Sequence, residues 1–140
     1  MKRLLIMRHA KSAWPDGVDD HDRPLNKRGN RAAPKMAHLL LQKGFSPDAA
    51  IVSSARRTQE TWQQMNAVFL QNNITIAMET EPNFYLAGLG AIQRKLSERT
   101  DVLLALVAVG RLDRRAQGPL RVRDARRQSD GAEDLSLIHI

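Results

Sequence analysis

The run Leu4-Leu5-Ile6-Met7 stops abruptly at Arg8-His9, and this break constrains the fold more than any other feature of the chain. Consecutive apolar residues bury both faces of a strand, the habit of parallel sheets covered on each side by helices. The pattern recurs at Ala49-Ala50-Ile51-Val52, which runs into Ser53-Ser54 and then Arg56-Arg57. Ile74 to Met78 and the strongly apolar Val102 to Val109 supply a third and a fourth strand. Between them lie helical patterns. Asn26 suits the N-cap of a helix running to about Lys43, with Ala33, Met36, Ala37, Leu39 and Leu40 on its apolar side and Gly44 to end it. Pro34 inside that stretch implies a kink or a late start. Ser54 is expected to cap a second helix over roughly 55–71, on which Thr58, Trp62, Met65 and Phe69 share a face; 88–98 gives a weaker third. Strands alternating with helices predict an α/β fold with a mostly parallel central sheet.

Length and charge refine this reading. The chain has 140 residues, 42% of them hydrophobic, which suits one modest core and argues against wholesale disorder. There is no Cys, which excludes disulfides, thiolate catalysis and sulfur-ligated metals from this chain. The net charge of +7 is unevenly built, for seven Arg and only two Asp fall within residues 111–127. The organisation read from this is a domain over 1–110 and an atypical Arg-rich tail over 111–140, disordered or weakly helical. The apolar run before Arg8 is too short for a signal peptide or a membrane span, so a cytoplasmic protein with no membrane partner is expected. No aromatic interleaving accompanies the basic tail, so no specific nucleic acid is expected.

In an open α/β sheet, ligands bind beyond the carboxyl ends of the strands. Arg8-His9 follows the first strand and Arg56-Arg57 follows the second, across Ser53-Ser54. Arginine pairs bidentately with phosphate oxygens, so two arginines from adjacent strand ends can hold one phosphoryl group. A neutral histidine beside that anion can accept phosphorus on one ring nitrogen while a backbone carbonyl fixes the other. The bland readings are a structural or solvent-facing histidine and an arginine pair on the surface of a helix.

Three motifs favour the first reading. LLIMRHAKSAW resembles the Arg-His signature of the histidine phosphatase superfamily, the phosphoglycerate-mutase-like fold of three layers. DRPLNKRGNRAAPKMAHLL is similar to the block that follows it, and SSARRTQET to the Ser-x-x-x-Arg-Thr-x-x-Thr block. RHAKSxW, DRPLxxRG and PDxxxxSxAxRT are the patterns of the SixA-type phosphohistidine phosphatases, and a softer likeness continues through EPNFYLA to about Leu104. The resemblance implies a metal-independent hydrolase without cofactor, acting on a phosphorylated protein or a small phosphorylated substrate. It makes His9 the phosphorylated nucleophile and Arg8 and Arg57 the phosphate clamp, with Arg56 facing outward. Arg23 would complete the pocket or hold the loop over 10–24, unless it simply pairs with Asp20 or Asp22. Lys11 and Ser12 would line the same loop. Glu81 is either a general acid or a solvated residue before the Pro82 turn.

The likeness fails after about residue 104. Members of the family carry a second histidine in a Gly-His block directly after the fourth strand, whereas this chain reads VLLALVAVGRLDRRAQG. Arg111 follows Gly110, and no histidine lies between His38 and His139. Arginine cannot exchange protons near neutrality. The abrupt change to arginine-rich text resembles a shifted reading frame, giving a fold incomplete at its C-terminus. His21 and His38 lie outside any motif of the family. A weakly active phosphatase is therefore expected, with an inactive phosphate-binding or regulatory protein as the alternative.

Overall fold

The computed structural model describes residues 3–86, 89–97, 103–107, 122–124 and 134–138. The chain begins with β1 (Arg3–Arg8), followed by a loop with a single 3-10 turn at Asp20–Asp22 and then α1 (Lys27–Gln42). Next come β2 (Ala49–Ser53), α2 (Arg56–Gln71), β3 (Ala77–Glu81), a 3-10 turn at Pro82–Phe84 and α3 (Leu89–Ser97). β4 (Leu103–Val107), β5 (Val122–Asp124) and β6 (Asp134–Ile138) complete one sheet of order β3-β2-β4-β1-β6-β5. Among the described strands, β5–β6 pairs antiparallel and the other pairs are parallel.

Alternation along β1 and β2 divides the sheet's two faces. Leu5, Met7, Ala50 and Val52 pack with Ala33, Met36, Ala37 and Leu40 of α1 and with Trp62, Met65, Val68 and Phe69 of α2. Ala49 and Ile51 turn the other way, onto Phe84 and Ile92, where Leu4 and Ile6 join them. The sheet thus lies between an α1–α2 layer and an α3 layer, the three-layer arrangement expected. Strands buried on both faces need apolar residues at every position, which explains the unbroken runs in the sequence.

The helix starts differ in their chemistry. The Asn26 side chain accepts a hydrogen bond from the Gly29 N–H (2.9 Å) and so caps α1, as expected. α1 runs continuously through Pro34, without the late start the proline suggested, and Gly44 (φ 70°) follows its end. Ser54 does not cap α2. Ala55 holds the N-cap position without a side-chain bond, and the Ser54 hydroxyl pairs with His21 instead.

Three features of the sheet differ from the sequence reading. β3 begins at Ala77, three residues later than expected, because Ile74 is taken up by the turn that caps α2: its N–H bonds the Phe69 carbonyl (2.9 Å) after Asn73 turns left-handed (φ 59°). β1 and β2 are also not neighbours. β4 lies between them, pairing Leu5 with Leu104 on one side and Ala50 with Leu104 on the other. In the Arg-rich tail, β6 runs parallel to β1 and β5 pairs with β6, where the sequence predicts no strand. The remainder of the tail, Arg111 included, lies outside the described residues.

Candidate active site

The carboxyl end of β1 delivers Arg8 and His9, and the turn after β2 starts α2 with Arg57 in its first turn. Although β4 separates the two strands, the long Arg57 side chain spans the gap: its Nε donates to His9 Nε2 at 3.1 Å. The other ring nitrogen, Nδ1, lies 2.7 Å from the Ala10 carbonyl. A carbonyl only accepts and a guanidinium only donates, so Nδ1 carries the proton and Nε2 presents its lone pair. Burial drives the His9 pKa down to about 3, opposed by the Ala10 bond and reinforced by Arg57, Arg8 and Arg23. His9 is accordingly a neutral imidazole at physiological pH, with a fixed tautomer.

Thr61 fastens this arrangement. Its hydroxyl donates to the Arg57 carbonyl one helical turn back (2.7 Å) and accepts from the Ala10 N–H (3.0 Å). One buried side chain thereby ties the turn after β1 to the helix that carries Arg57. On the other side, Gly29 packs directly beneath the Lys11 carbonyl, where a Cβ would overlap backbone. Only glycine allows α1 to approach the loop this closely.

Three cations converge here. Arg8 is half-buried, and its pKa is lowered by burial and by the nearby charges of Arg57 and Arg23. Arg23 donates from NH1 to the Ser12 hydroxyl (3.0 Å) and the Ala13 carbonyl (3.1 Å), and from Nε to Asp20 Oδ1 (3.0 Å). Its guanidinium stacks 3.3 Å from the centroid of Trp14. Asp20 also accepts from Arg57 NH2 (3.1 Å) and from the Tyr85 hydroxyl (2.8 Å), while its carbonyl accepts from Arg57 NH1. Among the described residues, no cluster of three His, Cys, Asp or Glu side chains offers a metal site. The arrangement is suited to an oxyanion: a buried, uncharged nucleophile beside a concentration of positive charge.

Residues 4–99 match the histidine phosphatase superfamily (branch 1). The chain belongs to that family. An uncharacterized chloroplastic protein of Arabidopsis thaliana is 40% identical over 88 residues, covering 60% of this chain and 38% of the relative. An uncharacterized protein of Mycobacterium tuberculosis is 34% identical over 104 residues, covering 74% of this chain and 61% of the relative. This chain therefore spans less than two thirds of either. Among solved structures, SixA from Agrobacterium tumefaciens superposes with a TM-score of 0.64 at 26% identity, covering 74% of this chain and 67% of that one. The SixA-like branch is thus the one that this member of the superfamily resembles.

Of the residues singled out by the family motifs, the structure brings together His9, Arg57 and Arg23, the last two through their shared partner Asp20. Ser12 is buried beneath Arg23, whereas the Lys11 side chain is exposed and contributes its carbonyl to the Asn26 N–H (3.0 Å). Arg56 faces solvent and pairs with Glu60 (2.8 Å). Glu81, at the end of β3, is buried rather than solvated, and its carboxylate belongs to another group. It accepts from the Asn83 N–H (3.0 Å) and pairs with Lys95 (3.1 Å), and these contacts hold its pKa below the usual carboxylate value. A carboxyl kept ionised in this way has no proton to donate near neutrality.

The pairing of Arg23 with Asp20, one of the alternatives read from sequence, is present at 3.0 Å. The sequence reading does not join Asp20 to Arg57 as well, and it gives no role to Tyr85 behind Asp20, to Thr61 (the last Thr of the SSARRTQET block) as fastener, or to His21. His21, read from sequence as a loop residue outside any motif, bonds the Ser54 hydroxyl (3.0 Å) and meets the Tyr85 ring edge-on at 4.9 Å. Each depends on contacts across 33 to 65 positions, which no local pattern records.

Proposed function

We propose that this chain is a phosphohistidine or phosphomonoester phosphatase acting through a phosphohistidine on His9. The observation that carries the reading is the His9 geometry, with Nδ1–H fixed on Ala10 and the Nε2 lone pair on the Arg57 side. Nε2 attacks phosphorus as the bond to the leaving oxygen or nitrogen breaks, and the leaving group takes that electron pair. Ring charge that develops on phosphorylation is stabilised through Nδ1–H and the Ala10 carbonyl. Arg8 and Arg57 neutralise the equatorial oxygens, which is where charge spreads in phosphoryl transfer. Water then attacks phosphorus, inorganic phosphate leaves and the imidazole is restored.

The likeness to SixA of Agrobacterium tumefaciens, whose structure is described as that of a putative phosphohistidine phosphatase, supports a phosphorylated protein or small phosphorylated compound as substrate. The stretch from His38 to His139 contains no second histidine, so turnover is slow in this reading. That same feature favours the second reading, a phosphate-binding member of the fold without turnover. Hydrolysis of p-nitrophenyl phosphate and of a phosphohistidine peptide separates them. The first reading expects slow release of phosphate that His9→Ala abolishes. Phosphate binding with no release supports the second, and release unaffected by His9→Ala contradicts the mechanism.

A further inference from the structure

The Arg57 guanidinium is the most deeply buried charge described in the site, at 1% exposure, and His9 is only 5% exposed. The Asp20 side chain, by contrast, is 42% exposed. Asp20 is therefore the outer layer over the guanidinium, and a ligand arriving from solvent meets it first. Its two carboxylate oxygens divide the arginines between them, Oδ1 taking Arg23 Nε and Oδ2 taking Arg57 NH2 and the Tyr85 hydroxyl. Its backbone carbonyl takes Arg57 NH1. These are the donors that a phosphoryl oxygen needs.

We propose that Asp20 is an internal anion that occupies the arginine clamp and is displaced by the incoming phosphoryl group, the Asp20–Asp22 turn being the part that moves. The proposal rests on Arg57 being a phosphate ligand. Three arginines in mutual repulsion need a nearby negative charge, and a single carboxylate supplies the minimum. A phosphoryl group brings more charge and more acceptor oxygens, and so outcompetes it. The turn has no buried residue, so it can lift without disturbing the core. It follows Gly17, whose left-handed backbone (φ 72°) places it in an exposed bend. Arg23 stays behind, held by Ser12 and Ala13, and becomes a second ligand once its Nε is released. Arg57 at the same time exchanges two partners, His9 Nε2 and Asp20, for the substrate, which frees the nucleophile's lone pair.

The test is the affinity of the full chain for inorganic phosphate, measured calorimetrically for the wild type, Asp20→Asn, Tyr85→Phe and Arg57→Ala. Asp20→Asn keeps the shape and removes the competing charge, so phosphate binds about tenfold tighter or more, in line with the strength of charge-assisted hydrogen bonds. Tyr85→Phe keeps the carboxylate but loosens it, giving a smaller gain of the same sign. Phosphate also raises the melting temperature of Asp20→Asn more steeply than that of the wild type, a readout that reports folding in the same experiment. Unchanged or weaker binding by folded Asp20→Asn, with wild-type binding that Arg57→Ala abolishes, overturns the displacement proposal alone. Absence of binding in both the wild type and Asp20→Asn overturns the phosphate clamp and this proposal with it.

Discussion

Arg57 Nε donates to His9 Nε2 across 3.1 Å, joining two residues 48 positions apart, one just after β1 and one in the first turn of α2 after β2, strands that are not neighbours. This bond fixes the imidazole's orientation and places a permanent cation at the atom that would accept phosphorus. The same guanidinium holds Asp20, so the state of the nucleophile and the position of the loop are linked through one side chain.

Replacing Arg57 by Lys keeps the charge but not the planar fork that serves His9 and Asp20 together. Both Arg57→Lys and Arg57→Ala should lower kcat/KM on a phosphomonoester by on the order of 100-fold, the scale set by loss of one transition-state donor. Steady-state kinetics on the two variants checks this. Near-wild-type rates for the lysine variant would show that charge alone suffices.

Thr61→Val removes both bonds that join the β1 turn to α2 and leaves the Ala10 N–H buried without a partner. Ala10 is fully buried, so the expected destabilisation is about 1–3 kcal/mol in urea unfolding. Thr61→Ser retains the hydroxyl and should be close to wild type.

Gly29→Ala would ordinarily favour a helix by about 0.5–1 kcal/mol. Here the added Cβ collides with the Lys11 carbonyl, which also accepts the Asn26 N–H. The clash is with backbone, so overpacking dominates and a net loss of about 1–3 kcal/mol is expected. A variant at least as stable as the wild type in thermal unfolding would contradict this packing.

The depressed pKa of His9 makes a pH prediction with a definite sign. Unfolded, the imidazole takes up a proton below its ordinary value of 6.5; folded, it stays neutral down to about 3. Between these values the unfolded state binds more protons, so stability falls as pH is lowered through that window. The slope approaches ~1.4 kcal/mol per pH unit from this one group. Urea unfolding at several pH values from 7 to 4, for the wild type and for His9→Gln, isolates the contribution. Identical slopes for the two would contradict the burial of a neutral His9.

Much of the fold is legible locally because its signals are local. The apolar runs of β1 and β2, the Asn26 cap and the buried stripe of α2 each follow from a few consecutive residues. The insertion of β4 between β1 and β2 is not legible in this way, since strand order is settled by the whole sheet. At the site, the family motifs point to His9, Arg57 and Arg23, and the local spacing allows Arg23 to pair with Asp20; what the sequence does not carry is the arrival of Arg57 and Tyr85 at that same carboxylate from 37 and 65 positions away. Glu81 shows the converse. Its position before Pro82 suggests a solvated turn, whereas the fold covers Glu81 and pairs it with the partly exposed Lys95 of α3.

In the proposed reaction, His9 accepts a phosphoryl group on Nε2. The most direct measurement is to incubate the full chain with a phosphohistidine-containing protein, quench in alkali and map the phosphorylated residue by mass spectrometry. The expected product is an acid-labile, alkali-stable phosphate on His9, lost in His9→Ala and strongly reduced in Arg57→Ala. Phosphate released from the donor protein with no label on His9, and at the same rate in His9→Ala, would contradict it.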